Sequence, residues 1–375
     1  MKDNLQYLQE CLFKNGQLLQ QKKVTAGFDG FVDSIVKVIS DKSENSAPVF
    51  FEDIEEFGNY ISAKKGSGFS LETEELFQKL GGNMPIMANA LAEMGVKTDC
   101  IGAFGVPSFH PVFTNMHPGC RLFSFTNPGF TSALEFNDGK IMLAQMKDLN
   151  NGDWQTIRTA IGLEKIIESY NNSDLFCLVN WSELDHSNSI WLGLLDEVLP
   201  SLNSPSNKKK AFFDLSDCSK RSSEKILDAL NLIRRFSAYC DVILSMNKNE
   251  AQLVYKALSL PGEVQQLEQV AGELYKAIHI DTLVIHNSAK SVAWNKKGVY
   301  QSTPDFIANP KISTGAGDNF NAGYCIAMLM DLDPDLSLLL ANTVASFYMQ
   351  NAKSPCIPEM LDYISKKHSS KDLKT

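Results

Sequence analysis

Ser313-Thr314-Gly315-Ala316-Gly317-Asp318-Asn319-Phe320-Asn321-Ala322-Gly323 is a turn of small residues running straight into an apolar helix that the spacing extends from Ala316 to Met330. Glycines let backbone N–H groups come close to an anion, and a helix start adds about half a positive charge at the same point. The stretch reads as a phosphate site. Asp318 falls in the first turn, where its carboxylate is placed to take a proton from a hydroxyl attacking a γ-phosphate. The anion hole is the larger contribution, each donor in such holes being worth on the order of 3 kcal/mol. The competing reading of this segment alone is an ordinary glycine turn whose Asp favours the helix dipole.

Outward from that turn the chain alternates short apolar strands with helices. Strands are expected at Val24–Phe28, Thr98–Ala103, Leu175–Val179, Ala211–Leu215, Val242–Ser245 and Thr282–His286, with helices at Pro85–Met94, Ala316–Met330 and Leu336–Asn351. Apolar strand cores separated by helices imply an α/β protein with a mainly parallel sheet covered on both faces. Phe31 to Ile39 is a further extended segment. Ser40 to Leu80 is charged, carries Gly58, Gly66 and Gly68 and shows no strong period, so it reads as a peripheral insertion. Between Arg121 and Ala144, β-rich pieces are broken at Asn127-Pro128-Gly129 and Asn137-Asp138-Gly139, the second a hairpin signal. The expected organisation is a three-layer α/β/α core from residues 1–39, 81–110 and 145–375, and a β-rich lid from 40–80 and 111–144.

Composition narrows the function. In 375 residues, 44% hydrophobic and 21% charged, there is material for a large core. A formal charge of −9 offers no basic field for a phosphate backbone, which argues against a nucleic-acid partner, and Lys208 to Lys210 read as a solvated loop. The eight cysteines show no CxxC pair, so reduced structural thiols are expected. Met1 to Gln20 mixes charges with Leu5, Leu8, Leu12 and Leu19 at helical spacing and lacks a signal-peptide core, and no run is long enough for a membrane span. A cytoplasmic protein without a membrane partner is the expectation. His110 and His117 have no third ligand in view, Trp181-Ser182 lacks nucleophile-elbow glycines, and neither a Walker motif nor a GxGxxG after the first strand is present.

Thr314-Gly315-Ala316-Gly317-Asp318 resembles the GAGD signature of the PfkB/ribokinase family of carbohydrate kinases, with Ile312 standing where the family has an Asp. In that family the turn is the anion hole and the Asp the catalytic base, roles that the resemblance carries to Gly315, Ala316, Gly317 and Asp318, with Thr314 on the nucleotide side. Asn247-Lys248-Asn249-Glu250 is similar to the NxxE motif, which organises Mg²⁺ and phosphate, so Asn247 becomes a nucleotide contact and Glu250 a metal residue. A carboxylate at the carboxyl end of a strand suits a hydrated Mg²⁺, though Asn and Glu opening a helix also make an ordinary cap. Gly81-Gly82-Asn83-Met84-Pro85 resembles the family's first signature, in which Gly82 and Asn83 meet the acceptor; Ile86 takes the position of a usual Asn. Gly27-Phe28-Asp29-Gly30-Phe31-Val32-Asp33 resembles the first strand, whose Asp holds substrate hydroxyls. Asp33 is favoured because Ser34-Ile35-Val36 continues the pattern, and Asp29 remains open as a second contact or as a cap of the turn. Asn287-Ser288-Ala289-Lys290-Ser291 occupies the place of a nucleotide loop whose two glycines are here Ser288 and Ser291, and Ala341-Asn342-Thr343 resembles the adenine-flanking helix, where Asn342 is either a contact or a surface residue. The Asp214 to Arg221 segment matches the family only loosely and receives no role.

The resemblance spans roughly residues 22 to 367 and implies an ATP- and Mg²⁺-dependent kinase with a β lid, acting on a hydroxymethyl group of a sugar or sugar-like molecule. It also implies lids that pair between subunits, hence a homodimer through the lid, although this insertion is long enough to act alone. Two alternatives stand beside the sugar kinase. One is a nucleoside kinase with Phe50, Phe51 or Phe113 stacking on a base; the other is a nucleotide- or sugar-binding sensor without turnover, suggested by Ile86, Ser288, Ser291 and Ile312.

Overall fold

The computed structural model describes residues 4–42, 46–203, 208–261 and 266–372. In chain order the strands are β1 (Lys23–Gly27), β2 (Phe31–Asp41), β3 (Val49–Phe50), β4 (Thr73–Gly81), β5 (Lys97–Gly102), β6 (Cys120–Ser124), β7 (Gly129–Glu135), β8 (Lys140–Gln145), β9 (Leu175–Leu178), β10 (Lys209–Asp214), β11 (Cys240–Asn247), β12 (Thr282–His286), β13 (Ser291–Asn295) and β14 (Gly298–Ser302). The large sheet runs β14-β13-β12-β11-β10-β9-β1-β5-β6. It is parallel from β12 to β6, with β13 and β14 added antiparallel at one edge.

The central strands are apolar at successive positions because each side chain enters one of two cores. Phe176, Leu178 and Phe213 pack with Tyr170, Trp191 and Phe236 on one face, while Cys177, Phe212 and Ile243 pack with Ile326, Leu338 and Val344 on the other. Alternation across the pleat places neighbours in different cores, which is why these strands read as continuous apolar runs. The result is a helix layer, a sheet and a second helix layer. Helices Ala316–Leu329 and Pro334–Asn351 lie in the second layer, within a residue or two of their expected bounds.

The second sheet has the order β3-β2-β7-β8, with β4 pairing β2 from the other side. The hairpin expected at Asn137-Asp138-Gly139 joins β7 to β8, closed by the Phe136 N–H donating to the Gly139 carbonyl at 2.9 Å. Two boundaries fall elsewhere than expected. Phe31–Asp41, assigned to the core, is the strand on which β4 and β7 pair, and Cys120–Ser124, assigned to the lid, is the edge strand of the large sheet. Local pattern does not say which sheet a strand joins, because that depends on partners distant in the chain. The segment from 40 to 80, given no internal structure above, contains helix Ile54–Ala63, capped by Asp53 accepting from the Glu56 N–H at 2.7 Å. Phe51 and Phe57 join Val36, Val38, Leu134 and Phe136 in a separate small core of this sheet.

Of Lys208 to Lys210, expected as a solvated loop, only Lys208 is exposed and outside a strand. Lys209 and Lys210 begin β10; the Lys209 ammonium donates to the carbonyls of Asn171 and Ser173, and Lys210 to the Met328 carbonyl. Both side chains are half-buried, and their charged ends satisfy backbone carbonyls. No helix among the described residues is long and apolar enough to cross a membrane.

Candidate active site

β10, β11 and β12 end side by side, Asp214 in register with Ser245 and Asn247 with His286, and helix Ala316–Leu329 begins beside these ends. Carboxyl ends of parallel strands are where an open α/β sheet forms its ligand crevice. Gly315 precedes the helix with φ +92°, a conformation that disfavours any side chain, and a Cβ there would lie 2.7 Å from the Tyr348 hydroxyl and 3.4 Å from Ile86 Cγ2. Tyr348 in turn donates to the Thr314 carbonyl at 2.9 Å, holding the turn from outside. Ile86 therefore packs an apolar side chain against the anion turn.

Asp318 is buried one turn into this helix. Burial pushes its carboxyl well above the usual range, and Asp214, Asp29 and Glu250 push it further in the same direction. Asp214, given no role from sequence, is the largest of those neighbours. It accepts from the Ser216 N–H at 2.7 Å and from the Asn321 amide, and Asn321 accepts from Ser245 at 2.8 Å, so a chain of buried polar groups fixes its position. Burial raises Asp214 to about 6. Its place at the end of β10, next to the strand that ends at Asn247, was the available signal.

Asn247 and Glu250 form a reciprocal capping box. The Asn247 side-chain oxygen accepts from the Asn249 and Glu250 N–H groups, and the Glu250 carboxylate accepts from the Asn247 N–H at 2.8 Å and from its side-chain amide. The cap reading of this motif is thus realised, and the cap lies at the site. Burial, then Asp214 and Asp217, raise Glu250 to about 8. Among the described residues no group of three or more His, Cys, Asp or Glu is arranged to hold a metal unaided.

That raised value carries a stability consequence. Between about pH 4.5 and 8 the folded chain keeps the Glu250 proton while the unfolded chain has released it, so stability falls as pH rises through this window. Asp214 acts with the same sign up to about pH 6. In protein free of nucleotide and divalent ions, the urea midpoint is expected to drop between pH 5 and 8.5, and Glu250→Gln should flatten the upper part of that drop. An identical drop in the variant would show that Glu250 does not carry it.

The residues expected to meet the acceptor lie where β1 passes into β2 and β4 into the helix Asn83–Glu93. Asp29 is fully buried and accepts from the Asn83 N–H at 2.8 Å, the Met84 N–H at 2.9 Å and the Asn180 amide, so it caps the helix Asn83–Glu93. The helix it caps is remote in the chain, not the turn of residues 27–30 that contains it. Asp33, on β2, lies in register with Lys79 and Thr131; burial raises its carboxyl, opposed by Lys79 and a hydrogen bond from Thr131. The glycine pair serves both carboxylates. A Cβ on Gly81 would lie 2.6 Å from an Asp33 oxygen, and one on Gly82, whose φ is +94°, would lie 2.7 Å from an Asp29 oxygen. Asn83 reaches the Ser216 hydroxyl at 3.5 Å, at the end of β10. Phe51 and Phe113 are 5% and 1% exposed and packed against other aromatic rings, which withdraws them from stacking on a base.

A cavity of about 470 Å³ opens beside the anion turn, lined by Asn247, Ser288, Ala316, Gly317 and Asn342 among others. Five positions expected from four separate motifs therefore share one wall. Thr314 is exposed and does not line it. Asn342 is buried rather than superficial and donates to the Ser291 hydroxyl at 2.9 Å, so the serine that replaces a glycine ties the adjacent helix to β13. The sequence reading missed His286 and Phe320, stacked at 4.3 Å between ring centroids in the same wall; burial lowers His286 to about 4, leaving a neutral imidazole there. His110 and His117, considered as ligands above, use their Nδ1 atoms to accept from the Val112 and Gly119 N–H groups.

Comparison with known proteins adds three kinds of finding. A family model described as prokaryotic ketohexokinase matches residues 3–366. The ketohexokinase of Haloferax volcanii is 24% identical over 345 residues, covering 92% of this chain and 91% of that protein. Among solved structures, the Arabidopsis thaliana ribokinase complexed with ribose and ATP superimposes with a TM-score of 0.63 at 16% identity over 92% of this chain and 98% of that one. A putative ribokinase II from E. coli, in complex with ATP and Mg²⁺, gives 0.61 at 12% identity over 92% and 99%.

Proposed function

This chain belongs to the prokaryotic ketohexokinase family, and from that premise we propose that it transfers the γ-phosphate of ATP to a hydroxymethyl group of a ketohexose. It is an ATP-dependent sugar kinase, a phosphotransferase with an alcohol acceptor. The observation that carries the detailed reading is the glycine turn opening helix Ala316–Leu329 with Asp318 buried behind it, its carboxyl within electrostatic reach of Asp214 at the end of β10, of Glu250 and of Asp29 beside the Gly81-Gly82 pair.

In this reading ATP occupies the 470 Å³ cavity, with Asn247, Ser288 and Asn342 along it and its terminal phosphate at Gly315–Gly317. The N–H groups of that turn stabilise charge on the transferring group, and the rigid helix behind them means little reorganisation is needed. Asp33 and Asn83 hold the sugar hydroxyls, and Asp318 takes the hydroxymethyl proton as the oxygen attacks. Mg²⁺ suits the Glu250 and Asp214 carboxylates, which are buried with no basic side chain among the causes acting on either. Such an ion takes few protein ligands and would neutralise phosphate charge here.

The test is ADP release from Mg²⁺-ATP across fructose and other ketohexoses, aldohexoses, ribose and adenosine. A ketohexose should exceed ribose and adenosine by about 10-fold or more in kcat/KM, the discrimination expected when a site's hydrogen-bonding groups are left unpaired by the wrong substrate. Preference for adenosine would replace this reading with a nucleoside kinase, and ATP binding without release on any acceptor would replace it with a sensor.

A further inference from the structure

The kinase site uses the carboxyl ends of β10 to β12; the opposite ends of the same strands open into a second cavity of about 410 Å³. Its walls come from the starts of β10, β11 and β12, the turn between β13 and β14, and the facing ends of helices Ala316–Leu329 and Pro334–Asn351. None of these residues has a part in the reaction described above.

Some charges in the cavity are already satisfied. The Lys210 ammonium donates to the Met328 carbonyl and to Asp331 at 2.7 Å, and Asp281 accepts from the Val242 N–H at 2.8 Å. Four are left over. Lys296 and Lys297 of the β13–β14 turn, Asp241 of β11 and Asp333 before the last-named helix have no side-chain partner among the described residues. Tyr324 also lines the cavity, is only 3% exposed, and its hydroxyl has no hydrogen-bond partner among the described residues. The hydroxyl is not among the fully buried unpartnered atoms, so this otherwise buried ring keeps its polar end open to the cavity, where a ligand oxygen can pair with it.

We propose that this cavity is a binding site for a small polyhydroxylated phosphate of the hexose monophosphate class. Lys296 and Lys297 take the phosphate, Asp241 and Asp333 accept from sugar hydroxyls, and the Tyr324 hydroxyl completes the set. The mixture of charges selects this chemistry. A bare anion would sit against two carboxylates, and a neutral sugar would leave both ammonium groups unpaired, whereas a ligand with one phosphate and several hydroxyls satisfies both. The volume lies in the range of small-molecule sites.

The experiment is calorimetric titration with fructose 6-phosphate, fructose and inorganic phosphate, without ATP. It is run on the parent chain, on Asp33→Asn to weaken the acceptor site, on Lys296→Gln/Lys297→Gln and on Tyr324→Phe. The sugar phosphate should bind Asp33→Asn as it binds the parent at this site, at least 10-fold more weakly to the double lysine variant, and about 2- to 10-fold more weakly to Tyr324→Phe, the range of one hydrogen bond. On Asp33→Asn, fructose and phosphate should each bind at least 10-fold more weakly than the sugar phosphate. Turnover of the double variant should match the parent, which serves as its folding control. Loss of all binding in Asp33→Asn, binding indifferent to the lysines, or phosphate binding as well as the sugar phosphate would overturn the proposal. Because the readout is binding, its failure is separable from failure of the proposed ketohexose activity.

Discussion

Asp318→Asn is expected to reduce turnover of Mg²⁺-ATP and a ketohexose by about 10² to 10⁴-fold, with unfolding temperature and ATP affinity close to the parent's. The substitution keeps the size of the side chain and its place in the first turn of helix Ala316–Leu329 while removing the group that accepts a proton. Stability should not suffer, because burial and three neighbouring carboxylates already disfavour the Asp318 charge. The same raised pKa predicts an acidic limb in kcat/KM lying above the ordinary carboxylate range, and residual activity of the Asn variant should lack that limb. Activity in the variant within about 3-fold of the parent, with the limb intact, would assign the proton transfer to another group.

Gly315→Ala is expected to lower kcat by about 10² to 10³-fold, the scale of losing one donor from such a hole. Here the fold itself is strained. At φ +92° a side chain is disfavoured, at a cost of roughly 1–2 kcal/mol, and the added Cβ would sit 2.7 Å from the Tyr348 hydroxyl. Either the turn or the tyrosine must move, and Tyr348 is the group that holds Thr314 in place. Pairing the change with Tyr348→Phe removes the oxygen nearest the new methyl, so the double variant should recover part of the lost kcat, while Tyr348→Phe alone should lose only about 2- to 10-fold, the range of the one hydrogen bond to Thr314. A kcat for Gly315→Ala within 10-fold of the parent would mean that the turn contributes little as an anion hole.

Much of this site is legible in the chain itself. The anion turn reads as such because glycine spacing and helix onset are local properties, and the line of strand cores predicts a covered parallel sheet for the same reason. Asn247, Ser288 and Asn342 were found separately through motifs more than 40 residues apart, and the cavity they share is a property of the folded chain. Asp214 shows the opposite case. Its place at a strand end is only a weak mark, and its weight comes from Asn321, more than 100 residues away, and from the other buried carboxylates.

By itself, then, the sequence determined the α/β class, the turn that begins helix Ala316–Leu329 and the residue types able to carry phosphoryl transfer, since these rest on periodicity and on backbone preferences within a few residues. Tertiary structure alone decided that β2 belongs to the second sheet and β6 to the first, that Asp29 caps a helix while Asp33 lies against Gly81, and that Asp214 joins Asp318 and Glu250. The physical reason is that register, burial and electrostatic coupling depend on distances between segments remote in the chain, and no local pattern encodes those distances.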